Sequence, residues 1–175
     1  MMNVHPITGF GAMTVVLSLM LSGCSFRLRT DGLKSIRLGD PFLTAEQVVW
    51  NQGTARDTVL TESGYEWRAL ILPDRHGSIL VEEDFFEAQR VNRIRVESRS
   101  YRVAGNIRVG TDVAKLSRWD GDWMITALPD YGVLDLYNTE SPAFHFLIAC
   151  PNDGPTPQLL EEIDSTQRIL GIVIM

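Results

Sequence analysis

The stretch "EWRALILPDRHGSILVEE", residues 66–83, decides the fold. "EWRALIL" (66–72) and "GSILVEE" (77–83) are short runs rich in Ile, Leu and Val, and Pro73-Asp74 and Gly77 punctuate the gap between them. Pro presets φ, Asp bonds nearby backbone, and Gly adopts turn conformations closed to other residues. The pair therefore reads as two antiparallel strands joined by a turn. The next run, "VNRIRVES" (91–98), extends the sheet. Val91, Ile94 and Val96 mark its buried side after a slip at Asn92, and Arg93, Arg95, Glu97 and Arg99 face away from it.

The same grammar returns further on. "WMITAL" (123–128) and "GVLDLY" (132–137) flank a second Leu-Pro-Asp turn, and "AFHFLIA" (143–149) and "ILGIVIM" (169–175) are apolar enough for central strands. Ahead of each set of strands stands a related opening, "IRLGD" (36–40) and "IRVGT" (107–111). Asp40 is a helix N-cap type with Pro41 at the first helical position, and Phe42, Ala45 and Val49 would share a helical face. Thr111 would cap a shorter helix with Val113 and Leu116 as its apolar face. "LPDRHG" (72–77) recurs as "LPDYG" (128–132), and "RIRV" (93–96) has a looser echo in "RILGIVI" (168–174). Three anchors in one order predict a tandem repeat of a helix followed by strands, with half-repeats 33–100 and 104–175. The expected class is α+β: an antiparallel sheet with two short helices.

Outside that body the N-terminus reads differently. "FGAMTVVLSLML" (10–21) is too short for a transmembrane helix, which needs ~20 residues, and fits the hydrophobic region of a secretory signal. Leu21-Ser22-Gly23-Cys24 follows at once and resembles the bacterial lipobox. The resemblance implies a signal peptide over 1–23, cleavage before Cys24, a diacylglycerol thioether on its sulfur, and a palmitate-class acyl chain on the new N-terminus. Residues 24–32 then form a lipidated tether and 33–175 a single domain. The segment before the apolar run carries no Lys or Arg, a departure from the usual signal. Ser25 rather than Asp after the lipid cysteine implies the outer membrane, periplasm-facing, over the inner membrane.

Composition sets further bounds. The chain has 175 residues, 45% apolar and 22% charged, which suits one ordinary domain. A net charge of −6 argues against nucleic acid as a partner. The 16 cationic residues are almost all Arg. Cys150 is the second cysteine, read as a small core residue or a lone thiol.

The stretch "RVNRIRVESRSYRVAGNIRVGTDVAKL" (90–116) resembles the sigma-E-regulated lipoproteins of enteric bacteria, a small family of unknown function. Arg93-Ile94, Gly105 and Gly110-Thr111 carry the likeness: an Arg-Ile strand, then Gly-x-x-x-x-Gly-Thr opening a short helix. At the level of fold the pattern is also similar to tandem-repeat inhibitors of β-lactamase and to a small lipoprotein of the outer-membrane assembly machinery. None of these families supplies a catalytic residue.

Little else carries chemistry. His76 and His145 lie far apart in sequence with no metal-ligand spacing, so no metal and no cofactor are expected. No Gly-x-Ser-x-Gly elbow or phosphate loop is present. Glu82, Glu83 and Asp84 lack the alternating oxygens of a calcium loop and read as a solvated strand end. Arg93, Arg95 and Arg99 form the candidate face for an anionic partner, because Arg forks pair with carboxylate and phosphate. The expected function is a non-enzymatic, membrane-anchored envelope lipoprotein with a structural or protein-binding role. Its partner would be an envelope protein or an anionic envelope component. The alternative is a periplasmic enzyme inhibitor, for which Trp119, Trp123 and Tyr131 are candidates. A hydrolase would need His145 or His76 beside an acid in a cleft.

Overall fold

The computed structural model describes residues 26–62, 64–87, 89–151 and 155–175. In chain order the strands are β1 (Phe26–Arg27), β2 (Gly32–Leu33), β3 (Ile36–Arg37), β4 (Arg56–Glu62), β5 (Tyr65–Asp74) and β6 (Gly77–Glu83). There follow β7 (Val91–Val96), β8 (Tyr101–Arg102), β9 (Trp123–Leu128), β10 (Val133–Asn138), β11 (Ser141–Ala149) and β12 (Gly171–Ile174). One eight-stranded antiparallel sheet runs β4-β5-β6-β7-β12-β11-β10-β9. β1 lies parallel to β8, and β2 and β3 form a small hairpin.

The 66–83 stretch does form the hairpin β5–β6, with Asp74 opposite Gly77 at the turn. Gly77 has φ +147°, and a Cβ there would fall 2.5 Å from the Glu97 carbonyl oxygen, so no other residue fits. The slip at Asn92 is a β-bulge: the register between β6 and β7 shifts at Glu82/Glu83, which lets Val91 and Ile94 both turn inward.

One face of the sheet is apolar. Leu70, Leu72, Ile79, Val81, Ile94 and Val96 from the first half meet Leu134, Leu136, Phe146, Ile148, Ile172 and Ile174 from the second in one buried cluster. The layer covering this face has no α-helix among the described residues. It is built from two-residue strands, 3₁₀ turns and irregular segments that contribute Leu28, Leu33, Phe42, Tyr101, Ile107, Leu116, Leu160 and Ile163.

The fold is thus mostly β, and the expected α+β class with two helices is wrong. In the first expected helix the Asp40 carboxylate accepts the Arg37 N–H (2.9 Å), closing a local turn before Pro41 instead of capping a helix after it. The Phe42 N–H is taken by the Gln89 carbonyl (2.6 Å), which holds the chain extended, and Val49 is 91% exposed, so there is no buried stripe. The second expected helix is a 3₁₀ segment, Val113–Arg118, preceded by Asp112 and not Thr111. Its apolar residues Val113 and Leu116 are three apart, the spacing that a 3₁₀ turn eclipses on one side. No α-helix is present among the described residues.

A repeat of helix then strands is therefore absent, yet the two halves share a construction. Each is a four-stranded meander, β4–β7 and β9–β12, and they join edge to edge through β7 and β12. The Gly39 N–H donates to Val91 O (2.7 Å) and the Val91 N–H to Asp40 O (2.9 Å); Gly110, Ile169 and Thr111 make the same two bonds at the same two distances. Phe42 N–H to Gln89 O matches Val113 N–H to Gln167 O. Gly39 and Gly110 both take positive φ, +79° and +84°. The Leu-Pro-Asp turns are not equivalent, since one joins β5 to β6 and the other joins β9 to β10.

Candidate functional site

The opposite face of the sheet carries the charged and aromatic groups. Period-two alternation places Trp67 of β5, Glu82 of β6 and Arg93 and Arg95 of β7 on this side. Glu82 is only 1% exposed and gathers four N–H donors from three residues. Arg93 reaches its Oε2 through Nε (2.9 Å) and a closer Nη2 contact, Arg95 reaches Oε1 (3.1 Å), and the Trp67 indole N–H donates to Oε2 (3.2 Å). Arg93 also lies over the Trp67 ring (5.9 Å) and Arg95 over Tyr131 (5.7 Å). Two guanidinium groups on one carboxylate leave this buried cluster with one excess positive charge.

Two hollows flank the cluster and share Arg93. One, of about 370 Å³, is lined by Arg95 and Tyr131, by Leu147, Leu170, Val173 and Met175, and by the acids Glu97 and Asp135. The second, of about 410 Å³, is lined by Tyr65, Trp67, Phe85 and Phe86. Tyr65, Phe85 and Phe86 stack edge to face at 4.9 and 5.1 Å while exposed.

The sequence-derived arginine face is divided. Arg93 and Arg95 stand together, but β7 ends at Val96 and Arg99 lies beyond it, against Gly110. Cys24, the expected lipidation site, lies outside the described residues. The segment expected as a tether is docked from its first described residue: the Phe26 N–H donates to Ser100 O (2.9 Å), the Leu28 N–H to Arg102 O (2.7 Å), and Leu28 is buried. Glu82, Glu83 and Asp84 diverge. Glu83 accepts the Gln89 N–H (2.6 Å), and Asp84 accepts the Phe86 and Glu87 N–H groups of the loop that follows. Cys150 is a free, half-buried thiol beside the core. Trp119 and Trp123 pack on Phe146 against the core, and Tyr131 borders the 370 Å³ hollow.

His145 was legible only as a strand residue. It is buried on this polar face with Nδ1 2.9 Å from Asp135, and Tyr137 stacks on its ring at 4.8 Å. Among the described residues no hydroxyl or thiol hydrogen-bonds to the imidazole. His76 lies in the β5–β6 turn, its N–H 3.4 Å from Asp74.

A second polar cluster fixes the chain after β7. The Ser98 and Ser100 hydroxyls both donate to Asp74, the latter at 2.6 Å. Burial pushes the Asp74 carboxyl up, but bonds from Ser100, Ser98 and the His76 and Arg75 amides outweigh it and hold the group below its ordinary value. Burial and then the Asp74 charge push Tyr101 up to about 12. Lys34 is caged nearby, its ammonium 4.6 Å from the Phe26 and Trp50 ring centres and 5.7 Å from Tyr101.

No family model matches this chain, and no curated protein does. Its architecture is similar to the crystal structure of the uncharacterized protein YfeY from Escherichia coli. The TM-score is 0.63 at 10% identity, over 85% of this chain and 98% of that one. At that identity the likeness is one of fold. No helix among the described residues is long and apolar enough to cross a membrane.

Proposed function

We propose that the protein is a lipid-anchored envelope lipoprotein whose domain is a non-enzymatic binding module for another envelope protein, facing the periplasm from the outer membrane. The anchor rests on the apolar leader and the Leu-Ser-Gly-Cys sequence ending at Cys24. The observation that carries the binding role is the hollow lined by Arg95 and Tyr131 together with Leu147, Leu170 and Met175. It combines a rigid aromatic, a guanidinium and flexible apolar side chains, the composition of protein-recognition surfaces. Arg95 is held by Glu82 from below, so its position is preorganised.

On the same face His145 Nδ1 pairs with Asp135, and the buried Glu82 carboxylate pairs with Arg93 and Arg95. Photo-crosslinking in intact cells tests the reading. A photoreactive residue at Leu170, which is half-exposed, should yield one discrete envelope-protein adduct, and the same probe at Val49 should not. Identical adduct patterns from the two positions, or none from Leu170, would remove the binding role.

A further inference from the structure

We propose that the cleft lined by Arg99, Arg108, Lys115 and Arg168 is a binding site for a phosphate-bearing ligand. The cleft, of about 480 Å³, shares no lining residue with the hollows on the sheet face. Four of the chain's 16 Lys and Arg residues converge there, with His76 beside them, although the protein as a whole carries −6. Its one acid is Asp112, which faces Arg168 at 3.6 Å. Arg99, Arg108 and Lys115 have no carboxylate within ion-pair distance among the described residues. Like charges gathered without a counter-charge repel, and an anion placed among them relieves that repulsion.

Each cation comes from a separate segment that the fold fixes. Ser98 and Ser100 both turn toward Asp74, so Arg99 between them points the other way, across Gly110. The absence of a side chain at Gly110 admits the guanidinium: a Cβ there would lie 3.2 Å from Arg99 Nε. Arg108 is set by a tight turn in which its N–H donates to the Thr111 hydroxyl (3.1 Å) and the Thr111 N–H returns to its carbonyl (3.0 Å). Lys115 rides the 3₁₀ segment whose Val113 and Leu116 are buried, and Arg168 is paired backbone to backbone with Asp112. Three guanidinium forks and an ammonium suit the oxygens of a phosphate monoester better than a lone carboxylate, because several donors approach one tetrahedral group.

The cleft also sits at the anchored end of the domain. Phe26 bonds to Ser100, the neighbour of Arg99, and lies two residues past Cys24, a span of at most ~7 Å. A phospholipid headgroup is therefore within reach if Cys24 carries lipid, and free phosphate is the other source. The headgroup source rests on the anchored reading of the chain; the phosphate site itself does not.

Calorimetric titration of the full chain in phosphate-free non-ionic detergent separates these cases. The probes are inorganic phosphate, dihexanoylphosphatidic acid, and dihexanoylphosphatidylcholine as control. Saturable binding of the phosphatidic acid with little binding of the choline lipid is expected, weakening as NaCl is raised. Binding of inorganic phosphate as well supports the site with free phosphate as a sufficient ligand; binding of the lipid alone supports the headgroup. Arg99→Gln, Arg108→Gln and Lys115→Gln together should weaken binding about tenfold or more. Arg27→Gln, Arg56→Gln and Arg118→Gln, an equal change of charge elsewhere, should not. All six residues are exposed, and circular dichroism checks that both variants fold. No saturable binding by the parent, or equal weakening by both triple variants, would overturn the site. The fate of Cys24 is read separately by acyl labelling, so failure of the cleft and failure of the anchor are distinguishable.

Discussion

Arg95 stands directly opposite Val173 where the two meanders meet, and the pairs on either side are Ile94 with Ile174 and Val96 with Ile172. The junction is locally two-fold: Ile94 and Val96 correspond to Ile172 and Ile174. At the centre the symmetry is broken by chemistry, since one half offers a guanidinium where the other offers a valine. The asymmetry follows from Glu82, which receives Arg95 in the first half.

The Glu82 cluster should therefore be indispensable to the sheet. Glu82→Ala leaves Arg93 and Arg95 in a half-buried position without their counter-charge, which should cost about 3–5 kcal/mol. Urea unfolding followed by circular dichroism measures it. Glu82→Leu combined with Arg93→Met and Arg95→Leu should recover most of the loss, because apolar replacements of a whole buried ion cluster are tolerated. A single Glu82→Ala within 1 kcal/mol of the parent would mean that water solvates the two arginines.

Ile36 and Ile107 occupy matching places ahead of the Gly39 and Gly110 turns but differ in depth. Ile107 is fully buried and Ile36 half-buried. Ile107→Ala should cost about 2–5 kcal/mol and Ile36→Ala distinctly less. Equal losses in urea titrations would place both side chains in equivalent core sites.

The sheet was readable in the sequence wherever one face is buried, because alternation then shows in residue type. β5, β6, β7, β9, β10, β11 and β12 all fall on runs marked by apolar content or period or by a turn. β4 was not readable. It is an edge strand whose Val59 is exposed and whose Asp57 carboxylate accepts the Ala45 N–H, so nothing in "RDTVLTE" marks a core. The helices were misread because Asp40-Pro41 and Thr111 serve local turns, and cap chemistry is the same in a turn as at a helix start. Glu82 looked like a solvated strand end; only the register of β6 against β7 brings it to Arg93. Arg168 could not be grouped with Arg99, since the bridge between Asp112 and Arg168 spans distant parts of the chain.

The anchor reading turns on one sulfur. Cys24→Ala should abolish incorporation of a clickable fatty acid and block leader removal, visible as a heavier unlabelled chain on a gel. Undiminished label on the variant would remove the lipoprotein assignment and the outer-membrane location with it.

The Asp74 clamp gives the stability a defined acid dependence. Its carboxyl is held below the ordinary aspartate value of 3.8, so its contribution is fully present above that pH and is lost as pH falls through the lower folded value. Asp74→Asn should cost about 1–3 kcal/mol near neutrality, as it weakens bonds from two hydroxyls. The gap in urea midpoint between parent and variant should stay level down to about pH 4.5 and narrow only in stronger acid. A gap that closes well above pH 4.5 would show that Asp74 is not preferentially ionised in the fold.

Tyr101 reports on the same cluster from the alkaline side. It is fully buried beside Asp74, and its phenol is raised to about 12 from 10.0. The fold favours the neutral phenol, so this contribution is intact below pH 10 and is lost as pH rises toward 12. Its ionisation should appear as a late step near pH 12 when absorbance is followed near 295 nm. In Tyr101→Phe the late step should vanish. In Asp74→Asn it should move only part of the way toward 10, because burial is the larger cause and the carboxylate charge the smaller. If the late step were unchanged in Asp74→Asn, the charge would play no part; if it disappeared entirely, the carboxylate rather than burial would set the phenol's pKa.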